Sequence, residues 1–220
     1  MTEPYYRDDL VTLWHGDCRE ILPSVDQVDA IVMDPPYGNG TDYRSFDDTE
    51  ANVAALMADV MPLAHQTAPL VLVTPGIGRM WTYPQPTWVL SWFSPGGTGS
   101  GPWGFTTWQP VLAYGPDPYL KAGLGRRPDG LIAQFKRGTT VNVKVDHPCP
   151  KSERIMRWLV QRVTTDETKT VLDPFAGSGS TLVAAKRLGR RSIGVELDER
   201  YCEIAAKRLA QGVLDFGAAS

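Results

Sequence analysis

Two short stretches carry side chains that could bind and activate a small polar group. In VDAIVMDPPYGNG, residues 28–40, an apolar run ends abruptly in Asp34, Pro35, Pro36 and Tyr37. A carboxylate accepts hydrogen bonds, a proline fixes the backbone and leaves nearby carbonyls without strand partners, and a tyrosine offers a flat face. In TVLDPFAGSGST, residues 170–181, a second apolar run ends in Asp173, Pro174 and Phe175, followed by Ala176, Gly177, Gly179 and Ser180. A glycine-rich turn between strand and helix brings backbone N–H groups and the positive helix end to a ligand. The third glycine of a dinucleotide fingerprint would fall at Leu182, so no pyrophosphate site is indicated. What remains suits a nucleoside whose polar end is an amino-acid zwitterion. Glu196, with Leu197 and Asp198 beside it, ends the next apolar run, where an acid accepts hydrogen bonds from both ribose hydroxyls.

The elements that must position these groups follow from periodicity. LVTLWHGDC (10–18) and VDAIVMD (28–34) read as strands joined by the brief connector REILPSV. Between 48 and 66, Val53, Leu56, Met57, Val60 and Leu63 recur at helical spacing behind acids in the first turn, and PLVLVTPG (69–76) reads as the next strand. Strand, helix, strand in that order predicts a parallel sheet with a right-handed crossover. TWVLSWF and TWQPVLAYG predict an antiparallel hairpin at the sheet edge around a flexible loop, PGGTGSGPWG. Trp88 and Trp92 belong to the packing in this reading, while Trp103 in the loop is open to packing or to a ligand. The last third alternates again: helix 152–163 capped by Ser152, strand 170–175, helix 181–189, strand 192–198 and helix 199–212, with Gly189 and Gly212 at C-caps. Together these predict one α/β domain over 1–220, an open, mostly parallel sheet with an antiparallel edge hairpin.

Composition narrows the classes. Hydrophobic residues at 42% and charged residues at 21% suit a soluble globular protein, and no apolar run reaches the length that spans a bilayer. The opening MTEPYYRDDL has neither a basic nor an apolar signal region, so the sequence predicts a cytoplasmic protein. Cys18, Cys149 and Cys202 are too scattered for a disulfide framework, and with His15, His65 and His147 they show no metal-ligand spacing, so no metal is expected. The net charge of −3 argues against a generally basic surface. One segment differs: 115–145 holds Lys121, Arg126, Arg127, Lys136, Arg137 and Lys144 against Asp117 and Asp129, six minus two, or +4. A solvated insertion and a phosphate-contacting one explain it equally well.

Together with HPCPKS at 147–152, the motifs DPPYG and DPFAGSGST make the chain resemble the amino-methyltransferases that use S-adenosylmethionine to methylate exocyclic nitrogens of DNA bases. Their order, DPPY first and the glycine loop last, resembles the circularly permuted beta subgroup. The resemblance implies a Rossmann-like methyltransferase fold and covers nearly the whole chain apart from the middle insertion. An exocyclic amine is a poor nucleophile because its lone pair is delocalised into the ring. In the family reading Asp34 and the Pro35 carbonyl accept its two N–H bonds, Pro36 fixes the turn, and Tyr37 stacks on a base rotated out of the duplex. Asp17, with Cys18 beside it, would lie near the cofactor's adenine, and Lys151 and Ser152 at its methionine end, Ser152 standing where the family has proline. Residues 173–177, 179 and 180, with Glu196, Leu197 and Asp198, complete the implied cofactor site. DPPY occurs mostly in adenine enzymes and SPPY in cytosine-N4 enzymes, so N6 of adenine is implied first and N4 of cytosine stays open.

Segment 115–145 then becomes a target-recognition region, with Arg126, Arg127, Lys136, Arg137 and Lys144 on double-stranded DNA. A homodimer and a separate cognate restriction nuclease fit the same pattern. An RNA or protein-amide methyltransferase is a rival within enzymes. A catalytically silent nucleic-acid-binding partner is a rival outside them, and the intact DPPY and glycine loop speak against it.

Overall fold

Apolar, β-branched runs without a polar face must be covered on both sides. The computed structural model, which describes residues 3–133 and 151–211, builds its sheet from them. In chain order the elements are β1 (Tyr6–Arg7), β2 (Val11–His15), α1 (Cys18–Ile21), β3 (Ala30–Met33), β4 (Asp42–Tyr43), β5 (Phe46–Asp47), α2 (Glu50–Thr67), β6 (Val71–Val73), β7 (Trp88–Phe93), β8 (Gly99–Gly101), β9 (Gly104–Thr106), β10 (Trp108–Tyr114), α3 (Pro118–Lys121), β11 (Gly130–Ile132), α4 (Glu153–Val163), β12 (Thr170–Asp173), α5 (Ser180–Arg187), β13 (Arg191–Glu196) and α6 (Glu199–Ala210). Among the described residues, nine strands form one sheet in the order β1-β2-β13-β12-β3-β6-β10-β7-β11. The run β2, β13, β12, β3, β6 is parallel throughout. β10 is antiparallel to β6 and β7, and β11 is parallel to β7.

Alternation along the strands assigns the two faces. Ile31 and Met33 of β3 pack with Cys18, Leu22 and Val53, Met57 and Val60 of α2. Ala30 and Val32 face the other way, onto Ile155, Leu159 and Val160 of α4 and Ala184 of α5. Leu182 and Ala205 bring α5 and α6 against Val11 and Leu13 of β2. Each Val, Leu, Ile or Met among them, once buried, contributes about 1.5–3 kcal/mol. β3 and β12 are neighbours in register, Leu172 opposite Ile31, yet the chain leaves β3 for the α2 face and β12 for the α5 face. Their carboxyl ends therefore flank the crevice where open α/β sheets bind ligands.

The mostly parallel sheet matches the sequence expectation, with four differences. The β7–β10 hairpin is not the edge, because β11, inside the supposed insertion, adds a further strand along β7. The loop at 95–104 is drawn into a second ribbon, β8 with β9. The connector after β2 is helical, since Asp17 caps α1 by accepting from Arg19 N–H at 2.8 Å. Trp92 is 2% exposed but Trp88 is 61% exposed: the two share a face of β7, yet β11 pairs along 91–93 only and Trp88 stands at the start of the strand, beyond that pairing. Ser152 is the N-cap residue of α4 without a side-chain cap bond. Gly189 follows α5 with φ of 70°, as a C-terminal glycine should, while Gly212 lies outside the described residues.

Candidate active site

A residue that ends a parallel strand points into the crevice, and Asp34 does so immediately after β3. Its Oδ1 accepts from the Tyr37 hydroxyl at 2.7 Å and from the Thr74 hydroxyl, and its Oδ2 pairs with Lys151 Nζ at 2.9 Å. Lys151 Nζ also meets the Tyr37 hydroxyl oxygen at 2.7 Å, closing a four-residue network. Burial, with Asp34's charge beside it, pushes the Tyr37 phenol up, so the hydroxyl stays a donor. Burial works against the charge of Lys151, but the Asp34 carboxylate outweighs it and the ammonium is held well above its usual range. The Tyr37 ring packs on Gly76, where an added Cβ would stand 3.3 Å from Tyr37 Cδ2. Arg79 donates to the Tyr37 and Gly38 carbonyls, each at 3.3 Å, and pairs with Glu50 at the start of α2. The loop beyond is pinned by Asp48, 3% exposed, which accepts from the N–H groups of Gly38, Asn39 and Thr41 at 2.6, 3.2 and 2.9 Å.

One strand over, the end of β12 is built differently. Asp173 is 2% exposed and accepts from the Thr181 hydroxyl at 2.5 Å and from Phe175 N–H at 2.9 Å. Desolvation dominates, those two donors oppose it, and the carboxyl is pushed up to about 7. Gly177 and Gly179 take φ of 51° and 79°, and a Cβ on Gly179 would stand 2.9 Å from Ala205 Cβ, so the turn needs glycine there. Glu196, ending β13, accepts from Gly177 N–H at 2.7 Å and from Asp198 N–H at 2.8 Å. Burial lifts its carboxyl above the ordinary range against the pull of those N–H groups.

These two strand ends open into one cavity of about 340 Å³, the size of ordinary small-ligand pockets. Asp17, Cys18, Asp34, Pro35, Pro36, Tyr37 and Lys151 line it, as do residues 173–178, Ser180, Glu196 and Leu197. Gly179 stands behind its wall as the residue before α5, and Asp198 caps α6 by accepting from Arg200 N–H at 3.0 Å. Asp17 is engaged by the Arg19 guanidinium, which holds its carboxyl below the usual range. The Cys18 thiol is pushed up to about 12, chiefly by burial, which suits packing rather than nucleophilic chemistry. Among the described residues no group of three His, Cys, Asp or Glu side chains could hold a metal, and no helix is long and apolar enough to cross a membrane.

Not every sequence candidate is brought to the cavity. Arg126 and Arg127 precede β11, whose first residue Gly130 pairs with Ser91, so they lie at the amino end of the parallel strands, away from Asp34. Arg127 stacks on Tyr119 at 4.7 Å from its centroid, and Tyr119 is tied to carbonyls at the end of α4. Lys136, Arg137, Lys144 and the first four residues of HPCPKS lie outside the described residues. Sequence reasoning missed Thr74, Arg79, Asp48 and Thr181. Thr74 had a signal, since TPG after an apolar run repeats the strand-end pattern of DPP.

A family model described as DNA methylase matches residues 79–207. The type II methyltransferase M2.LlaDCHI of Lactococcus lactis subsp. cremoris is 47% identical over 66 residues, 30% of this chain and 24% of that protein. M2.DpnII of Streptococcus pneumoniae is 48% identical over 63 residues, 29% of this chain and 23% of its own length. The chain thus spans about a quarter of these relatives. The type II methyltransferase M.ScaI of Streptomyces caespitosus is similar over 94% of this chain and 84% of its own, at 25% identity. Among solved structures, the M1.HpyAVI–SAM complex superposes with a TM-score of 0.65 at 22% identity, covering 91% of this chain and 99% of that one. The cytosine-N4-specific PvuII DNA methyltransferase gives 0.71 at 15%, covering 99% and 91%. These two likenesses establish the fold.

Proposed function

The chain belongs to the DNA methylase family, and from that premise we propose that it transfers a methyl group from S-adenosylmethionine to an exocyclic amine of a base in DNA. One observation carries the reading: the Asp34 acceptor and the glycine-loop strand end line the same cavity from adjacent parallel strands. The residues suit this donor. Glu196 presents a carboxylate for ribose hydroxyls, Phe175 and Leu197 offer apolar walls for a purine, and the glycine turn keeps the backbone low enough for close approach. The donor supplies an electrophilic methyl on a cationic sulfonium and leaves as a neutral thioether.

Asp34 Oδ2 and the Pro35 carbonyl accept the two amine N–H bonds and turn the nitrogen lone pair toward the methyl carbon. The N–C bond forms as the C–S bond breaks with its electron pair going to sulfur. The proton shed by nitrogen passes to Asp34 and on to solvent. Tyr37 keeps Asp34 oriented through its hydroxyl and offers ring surface to the base. Holding the reactants in line supplies much of the acceleration.

N6 of adenine is the first choice and rests on the aspartate of DPPY; N4 of cytosine is the second. The chain order of the motifs supports the permuted beta subgroup. Residues 115–145 serve as the target-recognition segment in this reading, with Arg126, Arg127, Lys136, Arg137 and Lys144 as its phosphate-contacting residues. The test is transfer of radiolabelled methyl to unmethylated double-stranded DNA, followed by nucleoside analysis. Label in N6-methyladenine is expected, label in N4-methylcytosine selects the second choice, and no label in DNA overturns the reading.

A further inference from the structure

The place that a target amine needs is already filled by an amine of the chain itself. Lys151 Nζ lies 2.9 Å from Asp34 Oδ2, 2.7 Å from the Tyr37 hydroxyl oxygen and 4.8 Å from the Tyr37 ring centroid. Asp34 Oδ1 is occupied by the Tyr37 and Thr74 hydroxyls, so Oδ2 is the oxygen a base amine must reach, and the ammonium holds it. The Lys151 side chain is 13% exposed and that of Asp34 19%, so the pair is largely shielded from solvent and its attraction is weakly screened. Arg19, the other cation on the cavity wall among the described residues, is committed to Asp17. Lys151 is therefore the cation that answers to Asp34, and a protonated amine has no lone pair with which to accept a methyl group itself.

We propose that Lys151 is a positioning residue for Asp34 that exchanges with the positive charge of the methyl donor, holding the carboxylate while the cavity lacks a cationic donor and returning once the donor has become neutral. The proposal rests on the methyl-transfer reading above. A sulfonium brings a further cation to the cavity in which Lys151 already holds Asp34, and like charges crowd each other there. Withdrawal of the ammonium frees Oδ2 for the amine, so donor binding prepares the base site. After transfer the thioether is neutral, nothing repels the ammonium, and its return to Asp34 displaces the methylated amine. The lysine would thus set the order of binding and hasten release without touching the methyl group.

The test reads binding rather than turnover. Fluorescein-labelled oligodeoxyadenylate and oligodeoxycytidylate, single strands whose bases need no extrusion, are titrated with the full chain and followed by anisotropy. Each titration is run with saturating sinefungin, which carries an ammonium where the donor has its sulfonium, and with S-adenosylhomocysteine, the neutral thioether. For the natural chain, sinefungin is expected to tighten binding of at least one strand fivefold or more over S-adenosylhomocysteine. In Lys151→Met the two analogues should agree within twofold, whereas Lys151→Arg should keep the natural ratio. Lys151→Gln repeats the neutral variant, and thermal melts check that each variant is folded. A natural chain with no analogue ratio, or neutral variants that keep it, overturns the exchange. A natural chain that transfers no label to DNA fails the underlying reading instead, so the two failures are told apart.

Discussion

Two neighbouring strands of this sheet end in the same dipeptide, Asp-Pro, and the two aspartates live in opposite conditions. Asp34 faces the cavity with a lysine, a tyrosine and a threonine around its oxygens. Asp173 is buried in the cavity wall, held by a threonine hydroxyl and a backbone N–H, with no cation bonded to it among the described residues. The first is furnished to offer an acceptor to the cavity; the second is furnished to hold a turn together and carries a proton up to about pH 7. A strand-end carboxylate is therefore assigned its work by the donors that converge on it, not by the dipeptide that introduces it.

The contrast can be broken most sharply at Asp34. Asp34→Ala should lower methyl transfer by about a thousandfold or more, the scale set by loss of a transition-state hydrogen-bond partner, while calorimetry still finds the methyl donor bound. Transfer at the natural rate would remove Asp34 from the chemistry. At Asp173 the expected effect is on stability and has a definite sign. Its folded-state carboxyl is raised to about 7, so the folded chain holds a proton that the unfolded chain releases at about pH 4. That contribution is complete below about pH 4 and is lost as pH rises through about 7, by up to about 4 kcal/mol. Denaturant titrations should show the natural chain weakening across that range and Asp173→Asn losing most of the slope.

Gly179→Ala probes the same corner through backbone. A side chain there meets Ala205 and must take a left-handed φ, so unfolding free energy should fall by about 2–3 kcal/mol. A melt within a degree of the natural one would show that the turn can shift without cost. Tyr37→Phe is the gentlest: it keeps the ring and removes the hydroxyl that donates to Asp34 and accepts from Lys151, each bond worth about 1 kcal/mol. Methyl transfer should fall five- to tenfold at unchanged donor affinity.

The sheet was largely legible in sequence because its central strands are continuous apolar runs closed by acids, and β3 and β12 end where those runs end. The edge was not. β11 is three residues, Gly-Leu-Ile, inside a basic and glycine-rich stretch, and only its pairing with β7 makes it a strand. At the cavity, Asp34, Tyr37 and the glycine turn announce themselves by residue type at a strand end. Their partners Thr74 and Thr181 do not, because a threonine one strand or one helical turn away becomes a ligand of a carboxylate only through tertiary approach. The position of Lys151 was legible as a cavity residue, and its pairing with Asp34 was not, since that contact spans 117 positions of the chain, 151 minus 34.

Asp48 has a consequence for how this lip could change over generations. One buried carboxylate gathers three amides of the loop that follows Tyr37, so that loop takes much of its shape from a local side chain, with Arg79 holding the carbonyls at its start. The β4–β5 ribbon between the gathered amides and the acid is consequently a cassette. Its tip can be exchanged, by natural drift or at the bench, as long as Gly38, the acid at its far end and Phe46, which packs on the core, are kept.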